Sequence, residues 1–219
     1  MIVYEATKEE FVDDVLTNEL ARKVEQRYRM KVGSNPNPRE ITAWQNSMQY
    51  MKDVLADESI PKNCGIAIEY KIPYTSKRID FIITGRDEKE NRTGVIIELK
   101  QWQKAEISSE KDGIVKDVST YTGGAIREVT HPAYQAWSYK VYLEDYNEMM
   151  QNNNVIMHPC AYLHNYVETT PPVITAPCFQ HYRDLSAALY FSAGSNMNKT
   201  CVKKYIKHKY HQEHCNRYS

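Results

Sequence analysis

Glu98 and Lys100 stand two residues apart at the end of a short apolar run, Val95-Ile96-Ile97, and Asp80 stands at the entry to a second, Phe81-Ile82-Ile83. Successive β-branched residues read as a central strand covered on both faces. Because side chains alternate along a strand, Glu98 and Lys100 point to one side, and Ile97 and Leu99 to the other. An acid and an amine on a nearly buried strand lose hydration and need good partners. Gly85 to Thr93 is a polar turn, and pairing the two runs as a hairpin sets Asp80 beside Glu98. Two ionised carboxylates in one small space repel, and a hard divalent cation with oxygen ligands, such as Mg²⁺, relieves the repulsion. Such an ion polarises a phosphoryl oxygen and lowers the pKa of a bound water, with the lysine beside it to hold the water or the charge of the transition state. The same residues also admit a charge ladder of little energetic value, Asp80 with Arg78 or Lys77 and Glu98 with Lys100. The combination favours the site over the ladder: each acid sits at the end of an apolar strand, and a hairpin-length link joins them.

Several elements must hold these residues in place. Thr7-Lys-Glu-Glu10 fits a capping box, and Phe11, Val15, Leu16 and Leu20 continue at helical spacing, which predicts a helix to about Met30. Gly33 to Pro38 is a turn. A second helix opens at Pro38, with Trp44, Met48, Met51, Val54 and Leu55 on one stripe that reads as core. Ile66 to Ile72 alternates and is the first strand of a meander with the two acidic-ended strands. Glu69 on it is either a further metal ligand or a solvated or salt-bridged residue. Gln103 to Thr122 is polar and longer than an ordinary connection, which makes it a candidate active-site loop or lid. His131 to Tyr146 predicts a helix with Pro132 in its first turn, placing Gln135 and Tyr139 four apart on one face. Val155 to Asn165 returns as a last core strand.

Beyond Glu168 the pattern weakens. Pro171, Pro172 and Pro177 mark a loop, Tyr182 to Phe191 reads as helical, and the tail from Lys199 is basic. Ala193 to Thr200 lacks the glycine placement of a phosphate-binding loop. His208, His211, His214 and Cys215 are spaced in steps that fan around a helix, which favours a solvated basic tail over a zinc site. Over 219 residues the charges balance, 28 Lys and Arg against 28 Asp and Glu, so the chain is no polycation that would coat nucleic acid unselectively. Any nucleic-acid binding must be local, for instance along Lys100, Lys104, Lys111 and the tail. Five widely spaced cysteines, without a Cys-x-x-Cys pair, argue against a disulfide scaffold. No apolar run reaches membrane-spanning length and Met1 to Lys8 has no signal-peptide pattern, so a cytoplasmic protein without membrane partners is expected.

Read as α, α, β, β, β, α, β, with Asp80, Glu98-Leu-Lys100 and Gln135-Ala-Trp-Ser-Tyr139 in that order, the chain resembles the PD-(D/E)xK nuclease superfamily, in its RecB-like and Cas4-like Gln-x-x-x-Tyr branch. Ser76-Lys-Arg-Ile-Asp80, His131-Pro-Ala-Tyr-Gln135 and His158-Pro-Cys-Ala-Tyr-Leu-His-Asn165 further resemble the N-terminal domain of bacterial Schlafen-like or helicase-type ATPase proteins. The resemblance implies an α/β fold with a restriction-endonuclease-like αβββαβ core, a mixed central sheet flanked by helices, over residues 1–167, with 168–219 as a C-terminal extension. It implies Asp80, Glu98 and the backbone carbonyl of Leu99 as ligands for Mg²⁺ or Mn²⁺. Lys100 would orient the attacking water, and Gln135 and Tyr139 would position the phosphate or the lysine. Ile79 precedes Asp80 where the superfamily's name has proline, and the ATPase is absent, which makes a separate ATPase or helicase a candidate partner. The function expected is a metal-dependent nuclease, with DNA the favoured substrate. Its rivals are an RNA-directed nuclease and a nuclease-like module that binds nucleic acid or a partner without cutting. A homodimer would suit duplex cutting, and nothing in the sequence demands one.

Overall fold

The computed structural model describes residues 1–87, 89–108, 117–184, 188–191 and 197–210. Thr7 both ends a strand, β1 (Ile2–Thr7), and caps the helix after it, α1 (Lys8–Leu16). Its hydroxyl accepts from the Glu10 amide at 3.2 Å and the Glu10 carboxylate accepts from the Thr7 amide at 2.7 Å, so the expected capping box is present. The strand ahead of it is an addition to the elements read from sequence. The single helix expected to reach Met30 is two. Asn18 adopts a left-handed φ of 60° after α1, and α2 (Leu20–Val32) follows, ending on Gly33 at φ 77°. α3 (Pro38–Leu55) is capped by Asn37 and carries the expected buried stripe from Trp44 to Leu55.

β2 (Gly65–Lys71), β3 (Arg78–Arg86) and β4 (Arg92–Lys100) form the expected antiparallel meander. The polar stretch read as a long loop is partly strand. β5 (Ala105–Ile107), β6 (Asp117–Thr122) and β7 (Ala125–Thr130) make a separate three-stranded antiparallel sheet, and 109–116, with Lys111, lie outside the described residues. Gly123 and Gly124, at φ 62° and 89°, close its β6–β7 hairpin in the two-residue turn that needs positive φ at both positions. α4 (Pro132–Tyr146), α5 (Glu148–Asn152) and β8 (Ile156–Leu163) follow. The stretch expected to be helical from Tyr182 splits into α6 (Gln180–Asp184) and β9 (Ala188–Phe191). α7 (Met197–Tyr210) closes the described chain.

The main sheet has six strands in the order β1-β2-β3-β4-β8-β9, the first four antiparallel and β8 and β9 parallel to β4, so the fold is mixed α/β. Both faces are covered. Ile66, Ile68, Phe81, Ile83, Val95 and Ile97 pack with α1, α2, α3 and α7, and Ala67, Ile82 and Ile96 pack with Tyr139 and Leu143 of α4. That two-sided burial is why β3 and β4 read as unbroken apolar runs. The stretch expected as an extension shares this architecture: β9 hydrogen-bonds to β8, and Val202 and Ile206 of α7 join the core around Phe81. His211, His214 and Cys215 lie outside the described residues. At the outer edge of the sheet, Lys31 and Arg27 of α2 donate to the carbonyls of Ile2 (2.6 Å) and Glu5 (3.1 Å) on β1. Among the described residues no helix is long and apolar enough to cross a membrane.

Phe81, fully buried, meets Phe11 of α1 edge to face at 5.3 Å between ring centroids. Phe81→Ala is expected to cost about 3–5 kcal/mol in urea unfolding, the usual range for deleting a core aromatic ring.

Candidate active site

Phe81 pairs with Ile97 at the last rung of the β3–β4 ladder, and just beyond it Asp80 and Glu98 lie within electrostatic reach of each other. The hairpin geometry read from sequence therefore brings the two carboxylates together. Asp80 Oδ2 accepts from the Leu99 amide at 2.9 Å. The Leu99 group that meets Asp80 is thus its N–H. Glu98 and Lys100 share a side of β4, as alternation requires, and Lys100 Nζ donates to Glu98 Oε1 at 2.6 Å.

α4 completes the arrangement from above that side. His131, fully buried, caps the helix: its Nδ1 accepts from the Ala133 amide at 3.3 Å, so Nε2 is the nitrogen left to donate to the Ile174 carbonyl at 3.0 Å. The cap fixes the first turn, and Gln135 on that turn reaches the strand. Its Oε1 accepts from Lys100 at 3.0 Å, and its Nε2 donates to Glu98 Oε1 at 2.7 Å and to the Tyr139 hydroxyl at 2.8 Å. Asp80, Glu98, Lys100, Gln135 and Tyr139, drawn from two strands and a helix, form one connected polar cluster.

Glu69 enters by a route that strand alternation does not give. Ile68 packs on the α3 side of the sheet and Tyr70 on the α4 side. On the neighbouring strand Ile79 packs on the α4 side and Phe81 on the α3 side. Alternation therefore breaks on both strands at facing positions, Glu69 and Asp80, and Glu69 takes the break with a φ of 57°. Its carboxylate is buried, accepting from the Trp44 indole N–H at 2.6 Å and pairing with the Arg78 guanidinium. Arg78 also donates to Glu40 at 3.1 Å. The salt-bridged reading of Glu69 therefore describes its contacts, in a buried setting. Sequence reading missed Trp44 as a site residue and named Arg78 only as a ladder partner of Asp80, where the structure pairs it with Glu69 and Glu40. Trp44 is hidden in a core stripe, and the signal for Arg78 was its position two residues before Asp80.

The walls around the cluster are α3 and the three-stranded sheet, which enclose a cleft of about 490 Å³ whose lining includes Asp80, Glu98, Lys100, Trp102, Tyr121 and Arg39. Gln101 ties the end of β4 to α3, donating to the Ala43 carbonyl and the Ser47 hydroxyl, both at 3.0 Å. Of the basic track expected around the site, Lys100 lies in the cleft. The described part of the tail does not line it: α7 buries Val202 and Ile206, and its Tyr205 hydroxyl donates to the Pro159 carbonyl, halfway along β8 from Leu163, the partner of Lys100.

Burial dominates the electrostatics. It drives Glu98 up to about 8, with the neighbouring Asp80 charge adding to the push, against Lys100. Burial also raises Asp80, against Lys100, the Leu99 amide and Arg78. Both shifts favour a proton on the pair. Burial alone would lower Lys100, but the Glu98 and Asp80 carboxylates outweigh it and hold the ammonium above the usual lysine range. Glu69 is raised by burial to about 7, against Arg78. Glu98 Oε2 is buried without a hydrogen-bond partner, although both Lys100 and Gln135 bind Oε1 of the same carboxylate. Among the described residues no three His, Cys, Asp or Glu side chains gather as a metal-binding group.

Compared with family models, curated proteins and solved structures, the chain matches none. The raised carboxylates give a testable pH dependence. A group whose folded pKa lies above its unfolded value stabilises the fold fully below the unfolded value, and that stability is lost as pH rises through the folded one. In EDTA, unfolding free energy is therefore expected to fall between about pH 5 and 8, by at most ~1.4 kcal/mol per pH unit for each proton. Glu98→Gln should flatten this slope in urea titrations and leave the smaller Glu69 share. An unchanged slope would contradict the assignment of Glu98.

Proposed function

We propose that this chain is a metal-dependent nuclease built on a restriction-endonuclease-like core, hydrolysing phosphodiester bonds in DNA. The observation that carries the reading is the buried Asp80–Glu98 pair, with one Glu98 oxygen unpartnered and Lys100 alongside. A buried carboxylate oxygen with no hydrogen-bond donor suits a cation; Glu69 Oε2 is a second such oxygen, and the Arg78 guanidinium already pairs with it. The donor chemistry fits Mg²⁺ or Mn²⁺. Mg²⁺ commonly binds through one or two carboxylates plus substrate phosphate, without an all-protein cage. Asp80, Glu98 and the Leu99 carbonyl would hold the ion, and Glu69, already engaged by Trp44 and Arg78, is left out of that set. When bound, the ion would polarise a phosphoryl oxygen and neutralise charge on the two carboxylates.

The remaining work falls to the chain's own groups. Lys100 is fixed by Glu98 and Gln135 and keeps its proton, so it can donate a hydrogen bond to an attacking water or to the negative charge that grows on the phosphoryl oxygens. Gln135 holds the lysine and the glutamate in register, and Tyr139 holds Gln135. Arg78, about one-third exposed in the cleft, is the further cation available to a bound phosphate.

Labelled single-stranded DNA, duplex DNA and RNA, incubated with Mg²⁺, Mn²⁺ or EDTA, test the proposal. DNA should be cut in the presence of metal, and Asp80→Asn, Glu98→Gln and Lys100→Ala should each lower the rate at least about 100-fold. Mn²⁺ should raise the melting temperature of the native chain and not that of Asp80→Asn. Binding of DNA without cutting under any metal would replace the nuclease with a binding platform. Cutting confined to RNA would move the substrate.

A further inference from the structure

Ser47, in the middle of α3, departs from the habit of helical hydroxyls. A serine or threonine inside a helix commonly donates back to the carbonyl four residues earlier. Thr42 of the same helix does so, to the Pro38 carbonyl at 3.1 Å. For Ser47 that carbonyl belongs to Ala43, and the Gln101 carboxamide donates to it at 3.0 Å. The Ser47 hydroxyl is turned instead toward the residue after β8, where its Oγ lies 3.1 Å from His164 Nε2.

The next contact fixes the direction of that bond. His164 Nδ1 lies 3.3 Å from Asn165 Oδ1. A carboxamide oxygen only accepts, so Nδ1 carries the proton and Nε2 presents its lone pair to Ser47. Tyr50 donates to the same Oδ1 at 2.9 Å and stacks on the imidazole at 4.4 Å between ring centroids, and Tyr162 meets the imidazole edge to face at 5.9 Å. The ring is thereby held in one tautomer and one orientation. Burial, which lowers its pKa to about 4, keeps it neutral.

A hydroxyl, an imidazole that accepts from it and a third group that orients the imidazole are the parts of an activated nucleophile. Asparagine is known in the third place of such sets. Position separates this trio from an inert buried network. Ser47 and Gln101 both line the cleft of about 490 Å³, so the hydroxyl stands at a cavity wall. Gln101 Nε2, 3.0 Å from Ser47 Oγ, brings an N–H donor to where the oxygen of an attacked carbonyl would gather charge.

We infer that Ser47, His164 and Asn165 form a second reactive site, an acyl-transfer centre that hydrolyses uncharged carboxylic esters without a metal. Ser47 Oγ bonds to the carbonyl carbon as its proton passes to His164 Nε2; the ester C–O bond then breaks and the alcohol leaves with that proton. Water gives a proton to His164 as it adds to the acyl carbon, the acid departs, and the proton returns to Ser47. With four acids against three bases in its lining, the metal-free cleft favours an uncharged acyl group over an anionic one. None of the three residues belongs to the Asp80–Glu98 cluster, so the inference stands apart from the nuclease reading.

The test uses the full chain in EDTA. A fluorophosphonate, whose fluoride Ser47 would displace, should add one label per chain, mapped to Ser47 by digestion and mass spectrometry, and heat denaturation before exposure should abolish it. p-Nitrophenyl acetate should be hydrolysed, Ser47→Ala should lower the rate to that of the denatured chain, and His164→Gln, checked for an unchanged melting temperature, should lower it at least about 100-fold. A native chain that takes no label at Ser47, or takes it only on scattered lysines and tyrosines, would overturn the proposal without recourse to any variant. Ester hydrolysis that persists in Ser47→Ala would overturn it as well.

Discussion

Two carboxylates withheld from water at the end of a sheet set the terms for everything around them. Removing an ion from water is unfavourable by several kcal/mol even after the surroundings relax, so Asp80 and Glu98 persist only with compensation nearby. Lys100 supplies a charge, the Leu99 amide a hydrogen bond, and Gln135 a neutral donor that also fixes the lysine. Each partner imposes a demand on the fold. Gln135 reaches the strand only because α4 docks by its first turn, and that docking rests on the buried His131 cap. The parallel placement of β8 beside β4 gives α4 its seat over the cluster.

The neighbouring irregularity follows the same logic. A glutamate in the left-handed region is strained by about 1–2 kcal/mol, and two facing strands that lose alternation at the same level forfeit regular packing there. Trp44 and Arg78 each hold one carboxylate oxygen of the distorted residue. Departures of this kind concentrate where a protein uses its side chains for something besides stability. Here the distortion brings a third carboxylate within electrostatic reach of Asp80 and sets Arg78 on the cleft wall.

What could be read from sequence divides along physical lines. The β3–β4 hairpin and the shared side of Glu98 and Lys100 were legible because both strands are buried on two faces and neither bulges between Phe81 and Ile83 or between Val95 and Lys100. Gln135 and Tyr139 were legible as helical neighbours, though only the family resemblance suggested a role for them. The three-stranded sheet was hidden because β7 is mostly exposed and its strands lack an apolar rhythm. The division of α1 from α2 was hidden because Asn18, with no glycine or proline beside it, makes the turn. Trp44 was read as core, and it is core by burial; its single polar atom is what joins it to the site. A hydrogen bond between elements 25 residues apart leaves no trace in local periodicity.

The contacts that α2 makes along β1 bear on how this protein meets other copies of itself. An open sheet edge is a template for strand addition, through which chains join into ladders or exchange segments. Lys31 and Arg27 fill two of the acceptor positions that a foreign strand would need, so an incoming backbone must first displace both side chains. The helix that covers one face of the sheet thereby also guards its flank against self-templated aggregation.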